Sequence, residues 1–72
     1  MKGLLLRAVD SHEKLEMIYQ SNKGEISQRV ISVKKVGEQS FRAYCYIRKQ
    51  VRTFTISNIL SIAPLKMHRR GA

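Results

Sequence analysis

The sequence predicts a mainly β domain, in which one N-terminal helix precedes five short antiparallel strands that form a small SH3-like or Sm-like barrel. Three observations support this prediction. The chain has only 72 residues, its first segment has apolar residues at helical spacing, and the rest consists of short alternating runs separated by turn residues. Barrel closure suits this size because it removes exposed strand edges. An OB-fold is the alternative, although it usually needs a longer chain.

The apolar pattern of residues 4–16 predicts the helix, with an irregular end near residue 12. Asp10 and Ser11 compete with the helix backbone and suit a cap. Arg7 and Asp10 also interrupt the N-terminal leucine run too early for a secretory signal or a membrane span. With a single cysteine in the chain, this indicates a cytoplasmic protein without a membrane partner.

Five strands are predicted after the helix, and turn residues separate most of them. β-branched residues indicate the strands, and Gly, Asn and Pro residues between them indicate where each strand ends. Imperfect alternation in the second strand predicts a bulge near Val30 and Ile31. We expect a single domain over residues 1–65 and a basic C-terminal tail over residues 66–72. The predicted strands are residues 16–19, 26–36, 41–48, 51–56 and 58–62.

The third predicted strand alternates for eight residues and therefore presents two different faces. The apolar face, which we expect to be buried, consists of Phe41, Ala43, Cys45 and Ile47. The opposite face consists of Arg42, Tyr44, Tyr46 and Arg48. Guanidinium groups interleaved with phenol rings suit an anionic and partly flat partner. Phe54 and Ile56 in the next strand are predicted core residues.

The net charge of +9, from 14 basic and 5 acidic residues, favours an anionic partner such as nucleic acid or a nucleotide. The alternative is a general solubility charge. We expect no catalysis, since neither His12 nor His68 has an acid or nucleophile at a recognisable spacing. We also expect no metal and no cofactor, because one cysteine and two distant histidines do not make a zinc site.

Two sequence motifs occur in a fixed order along the predicted strands. The first, Y-x4-G-E-x-S-x-R-V, consists of Tyr19, Gly24, Glu25, Ser27, Arg29 and Val30. The second, A-Y-C-x-[IL]-R-x3-R-T-F, consists of Ala43, Tyr44, Cys45, Ile47, Arg48, Arg52, Thr53 and Phe54. Together they resemble the WYL domain family, which occurs mostly in bacterial transcription regulators beside a helix-turn-helix domain. The resemblance covers roughly residues 10–62.

Several features of the family pattern are missing. The naming tripeptide would fall at residues 39–41, Gln-Ser-Phe, so its Trp and Tyr are absent. No helix-turn-helix is expected, because residues 1–16 hold at most one helix. The resemblance implies a stand-alone WYL-like domain that senses a ligand, with nucleic acids or nucleotides as the ligand class, and that takes part in bacterial transcription regulation.

The resemblance also implies a basic pocket at Arg29, Arg48 and Arg52. Planar guanidinium groups bind phosphate in a bidentate manner, and five acidic residues are too few to pair all the basic ones. Tyr44 and Tyr46 are candidates for base stacking or for packing on the barrel surface. Arg42 is a candidate from its position on the tyrosine face alone. The alternative function is a protein–protein module that forms a homodimer or joins a larger regulator through strand edges and the helix.

The alternation predicts that Cys45 reacts slowly with a thiol reagent in the native protein and rapidly in the unfolded protein, because burial excludes the reagent. Labelling kinetics with and without denaturant measure this difference. Rapid labelling of the native protein would contradict the inward assignment of Phe41, Ala43 and Ile47 as well, because the same alternation places all four.

Overall fold

The computed structural model describes residues 2–65, which form one helix and a five-stranded antiparallel sheet. The predicted fold class, mainly β with one N-terminal helix, is confirmed. The predicted basic tail, with Lys66, His68, Arg69 and Arg70, lies outside the described residues. The elements are α1 (Lys2–Ser11), β1 (Lys14–Gln20), β2 (Ile26–Val36), β3 (Ser40–Cys45), β4 (Gln50–Thr55), a 3-10 turn (Ile56–Asn58) and β5 (Ile59–Pro64).

Helix α1 ends at Ser11, which confirms the predicted end near residue 12, although the helical spacing of the sequence extends over residues 4–16. His12 terminates the helix. His12 has a positive φ of 59° and donates its backbone N–H to the carbonyl of Ala8 at 2.9 Å. This left-handed residue reverses the chain direction. Leu15 therefore belongs to β1 rather than to the helix, and β1 begins two residues earlier than predicted. Leu5 and Ala8 on the inner side of α1 are buried against the sheet.

The sheet has the strand order β4-β3-β2-β1-β5, and all four pairings are antiparallel. Strand β2 has the predicted bounds, but its irregularity lies between Val33 and Lys35 rather than near Val30 and Ile31. A second irregularity lies between Ile18 and Tyr19 in the pairing of β1 with β5. Bulges bend and twist a strand, so both contribute to the curvature of the sheet.

A contact between β1 and β4 shows how strongly the sheet curves. These strands are separated by β3 and β2, which in a flat sheet is about 14 Å at the usual strand spacing. Yet the rings of Tyr19 and Phe54 lie 5.1 Å apart in an edge-to-face arrangement, and the Tyr19 hydroxyl accepts the backbone N–H of Thr55 at 2.9 Å. The sheet is therefore barrel-like, with its concave face around the core.

The core lies on this concave face and under the helix. Phe41 and Phe54 are stacked with ring centroids 5.5 Å apart, next to fully buried Ala43 and Cys45. The predicted inward positions of Phe41, Ala43 and Cys45 are confirmed, as is that of Phe54. Partly buried Ile56 packs against this cluster. The remaining buried apolar residues are Leu5, Ala8, Leu15, Met17, Ile31, Val33 and Ile59.

The end of β3 differs from the prediction, which extended the strand to Arg48. Strand β3 ends at Cys45, and residues 46–49 form a turn closed by the Lys49 N–H and the Cys45 carbonyl at 2.7 Å. Lys49 takes a positive φ of 57° there. Ile47 is consequently 70% exposed, so its predicted burial is wrong. The prediction is wrong because the alternation of apolar and polar residues in the sequence extends through residues 46–48, which belong to a turn.

The two later strands differ from their predicted limits by one residue at each end of β4 and by one and two residues at the start and end of β5. Strand β4 starts at Gln50 and ends at Thr55, because the predicted Lys49–Gln50 turn is the four-residue turn 46–49. The 3-10 turn then occupies residues 56–58, so β5 begins at Ile59 instead of Asn58 and extends to Pro64.

Substitution of Tyr19 tests the closure between β1 and β4. Tyr19→Phe keeps the ring contact but removes the acceptor for the Thr55 N–H, so we expect a loss of about 0.5–1.5 kcal/mol in the free energy of unfolding. Urea denaturation measures it. Tyr46→Phe is the control at an exposed ring and should cost less than about 0.5 kcal/mol. Equal losses in the two variants would contradict a closing role for Tyr19.

Candidate functional site

A cavity of about 400 Å³ opens at one end of the concave face, where β2 and β4 continue beyond the core. Arg29 pairs with Met17 and Arg52 pairs with Ala43 across the sheet. Directly opposed residues share a face, so both arginines lie on the core side of the sheet. We call this space the arginine cavity. Its lining residues are Tyr19, Ser21, Asn22, Glu25, Ile26, Ser27, Arg29, Arg48, Arg52, Thr53 and Phe54.

Arg29 is the most firmly held of the three arginines. Its Nε donates to the Ser27 hydroxyl at 3.1 Å, and its NH1 donates to the Cys45 sulfur at 3.7 Å. Its guanidinium carbon lies 5.8 Å from the centre of the Phe54 ring, within the range of a cation–π contact. These contacts fix the guanidinium group, while three of its five N–H donors stay free of these two bonds.

Arg48 and Arg52 are exposed and enter the cavity from a turn and from an edge strand. Arg48 belongs to the turn 46–49, and this turn brings its side chain to the cavity. If β3 continued to residue 48, as predicted, the strand would direct this side chain differently. Arg52 lies two residues before Phe54 in β4 and therefore on the same face. The structure thus brings Arg29, Arg48 and Arg52 together from three separate parts of the chain.

The Cys45 sulfur contacts both the Arg29 side chain and the backbone N–H of Arg48. Burial acts to raise the pKa of the Cys45 thiol, but the backbone N–H of Arg48, the Arg29 side chain and the backbone N–H of Ile47 together lower the pKa below its ordinary value of 9.0. The fully buried sulfur accepts from Arg29 and faces the turn that carries Arg48. Cys45 is therefore a structural contact behind the cavity.

The turn between β1 and β2 supplies the one carboxylate of the cavity. The Ser21 hydroxyl accepts the backbone N–H groups of Lys23 and Glu25, and the Ser21 N–H donates to the Glu25 carbonyl at 2.8 Å. Gly24 has a φ of 87°, which L-residues rarely adopt. These bonds hold the turn that brings Glu25 to the lining of the cavity. Three guanidinium groups against one carboxylate leave a formal charge of +2.

The other three predicted site residues, Arg42, Tyr44 and Tyr46, do not line the arginine cavity. Tyr44 and Tyr46 pack edge to face at 4.9 Å, and the Lys14 ammonium lies 4.7 Å from the Tyr46 ring centre. Arg42 alternates with inward-facing Phe41 and Ala43, so it points to the convex side, where it lines a smaller cavity with Lys35. The expected Arg-Tyr-Tyr-Arg surface is therefore divided between two sides of the sheet.

Sequence reasoning missed Tyr19, Ser27 and Phe54 as cavity residues. A signal for two of them was present, because Ser27 and Arg29 share the parity of buried Ile31, and Arg52 shares that of Phe54. No local pattern brings Tyr19 to Phe54, because that contact depends on the curvature of the whole sheet. Within residues 2–65, no helix is long and apolar enough to cross a membrane, and no cluster of three His, Cys, Asp or Glu side chains is placed to hold a metal.

Comparison with known proteins supports the fold. No protein-family model matches the chain, and no curated protein matches it. Among solved structures, it is similar to the proteasome accessory factor B/C (PafBC) of Arthrobacter aurescens, with a TM-score of 0.79 and 22% sequence identity over 88% of this chain. The match spans only 11% of the PafBC chain. At this identity the similarity establishes a shared fold for one small part of a much longer protein.

The Arg29–Cys45 contact makes a prediction about thiol ionisation. Arg29→Ala should raise the pKa of the Cys45 thiol relative to the wild type, because it removes both a hydrogen bond and a positive charge that favour the thiolate. Ultraviolet absorbance of the thiolate during a pH titration measures the change. Arg42→Ala removes the same charge from the convex side and should leave the titration unchanged. An equal shift in both variants would indicate a general charge effect instead of contact.

Proposed function

We propose that this domain is a non-enzymatic regulatory module that binds a nucleic acid or nucleotide-like anion in the arginine cavity. The observation that carries the proposal is the convergence of Arg29, Arg48 and Arg52 around one concave space that contains a single carboxylate, Glu25. Guanidinium groups held close together repel one another, and a phosphate-bearing ligand offsets this repulsion through charge-assisted hydrogen bonds.

The cavity combines this charge with an apolar base. The Phe54 ring is buried beneath the Arg29 guanidinium group, and the half-buried Tyr19 ring packs edge to face with it. Ligand sites in proteins often join apolar walls to a few fixed polar groups, which orient the ligand. A nucleotide has both parts, an anionic phosphate and a flat base. In this arrangement the arginines bind the phosphate, and the half-buried Tyr19 ring, rather than the covered Phe54 ring, is the aromatic surface left for the base.

A role in regulation rests on the fold and on the two motifs. The motif residues Tyr19, Glu25, Arg29, Arg48 and Arg52 all line the cavity. We infer that the chain is a WYL-like domain and that ligand binding in the cavity serves as its sensing step. The similarity of fold to a small part of the PafBC chain is consistent with a domain that works beside other domains or partner subunits.

A protein-interaction module is the second candidate, and two exposed side chains favour it. Ile47 and Val51 are 70% and 46% exposed, and both lie at or beside the edge strand β4. Apolar side chains beside an unpaired strand edge suit β-strand addition by a partner or a second copy. Salt dependence separates the candidates, because phosphate binding weakens steeply with salt and an apolar interface does not.

Arg48→Ala and Arg52→Ala should each weaken binding of a single-stranded oligonucleotide and reduce its salt dependence. Each lost phosphate contact should lower the slope of log K against log salt by about 0.7 for a single strand. Fluorescence anisotropy at several salt concentrations measures both quantities. Both side chains are exposed, so the fold should tolerate the substitutions.

Two controls make this test specific to the cavity. Arg42→Ala removes the same charge from the convex face, and a chain that ends at residue 65 removes the basic tail. We expect both controls to retain most of the binding and of its salt slope. If loss of the tail abolishes binding while Arg48→Ala and Arg52→Ala leave it intact, the attraction comes from the tail, and the interaction module becomes the better explanation.

A further inference from the structure

The cavity has a charge and a size that select among phosphate ligands. We propose that the arginine cavity recognises a terminal phosphate, meaning a phosphate monoester on a mononucleotide or at the end of a single strand, in preference to an internal phosphodiester. This inference rests on the proposed function and narrows its ligand class. It depends on three observations: the formal charge, the fixed geometry of Arg29 and the volume of the cavity.

The formal charge of the cavity is the first observation. Three arginines and Glu25 leave a charge of +2 among the lining residues. A phosphate monoester carries a charge of about −1.5 to −2 at pH 7 and has three terminal acceptor oxygens. A phosphodiester carries one negative charge and exposes only two non-bridging oxygens. The monoester therefore neutralises the cavity, whereas the diester leaves about one positive charge uncompensated.

The geometry of Arg29 is the second observation. Ser27 and Cys45 take one N–H from Nε and one from NH1, so both N–H groups on NH2 and one on NH1 are not used by these bonds. A fixed guanidinium group loses little side-chain entropy when it binds an anion. Arg48 and Arg52 are exposed and can adjust around the remaining oxygens. One fixed and two adaptable arginines suit a phosphate group whose three oxygens are all accessible.

The volume of the cavity is the third observation. About 400 Å³ lies near the lower end of the range of about 300–1,000 Å³ that is usual for small-molecule sites. A space of this size is matched to about one nucleotide unit. Tyr19 and Phe54 form its inner wall, with the Phe54 ring already covered by Tyr19, Phe41 and Arg29. The end of a strand enters such a space more readily than its middle.

A set of three adenosine ligands isolates the phosphate, because base and sugar stay the same. Adenosine 5′-monophosphate carries a monoester, adenosine 3′,5′-cyclic monophosphate carries a diester, and adenosine carries no phosphate. One additional unit charge about 4 Å from a cation is worth about fivefold in affinity even at the dielectric constant of water. We expect the monoester to bind at least about fivefold more tightly than the cyclic diester, as measured by isothermal titration calorimetry at low salt.

Single strands with and without a 5′-phosphate distinguish a free nucleotide from a strand end. A preference for the phosphorylated strand over its 5′-hydroxyl counterpart, with the same sequence, identifies the strand end as a ligand. Preference for the mononucleotide over both strands identifies a small-molecule site. Either result supports recognition of a terminal phosphate, and inorganic phosphate should compete in both cases.

Variants locate the preference within the fold. Arg29→Lys keeps the charge but loses the planar donor set, and we expect it to reduce the ratio of monoester to diester affinity. Arg42→Ala, on the convex face, should leave that ratio unchanged. Circular dichroism and thermal melting confirm that each variant is folded. A ratio that changes equally in both variants would exclude the arginine cavity as its source.

The remaining outcomes separate this inference from the proposed function. If the monoester and the cyclic diester bind equally and compete with labelled single strands, recognition of a terminal phosphate is wrong and binding of nucleic acid in the cavity stands. If none of the nucleotides or strands binds at low salt, both the inference and the proposed function are wrong.

Discussion

The contact between Tyr19 in β1 and Phe54 and Thr55 in β4 is the constraint on which the rest of the structure depends. It joins two strands that a flat sheet would hold about 14 Å apart, and it does so with an aromatic contact and a hydrogen bond of 2.9 Å. A 72-residue chain has little apolar area to bury. Curling the sheet around its own side chains, with α1 packed against them, encloses a core that a flat sheet of this length would leave exposed.

The same curvature creates the arginine cavity. Along β2 the inward side chains change from apolar Ile31 to Arg29 and Ser27, and along β4 they change from Phe54 to Arg52. The concave face is thus a core at one end and a basic opening at the other. The buried half fixes the polar half, because Phe54 and Cys45 belong to the core and also contact Arg29. Closure of the sheet and geometry of the candidate site are therefore physically coupled.

The convex side has a different composition and a different set of contacts. Tyr44 and Tyr46 pack against each other, and the Lys14 ammonium lies over the Tyr46 ring. The two rings and the ammonium group therefore make aromatic and cation–π contacts within the protein, without a ligand. Arg42 stands on this side, away from the three cavity arginines. Alternation alone would place Arg42, Tyr44, Tyr46 and Arg48 on one side of the sheet. The end of β3 at Cys45 separates Arg48 from the others and brings it to the cavity, so the basic and aromatic run of residues 42–48 serves two surfaces.

The sequence by itself determined the helix, the number of strands, the bounds of β2 and the inward positions of Phe41, Ala43, Cys45 and Phe54, because these follow from local periodicity. The motifs also selected Arg29, Arg48 and Arg52. Only the tertiary structure decided that β3 stops at Cys45, which exposes Ile47 and moves Arg48 from a strand face into a turn at the cavity. It also decided the contact of Tyr19 with β4. Strand curvature and the point at which a chain reverses depend on the balance of all packing contacts. The alternation of residues along one strand does not contain that information.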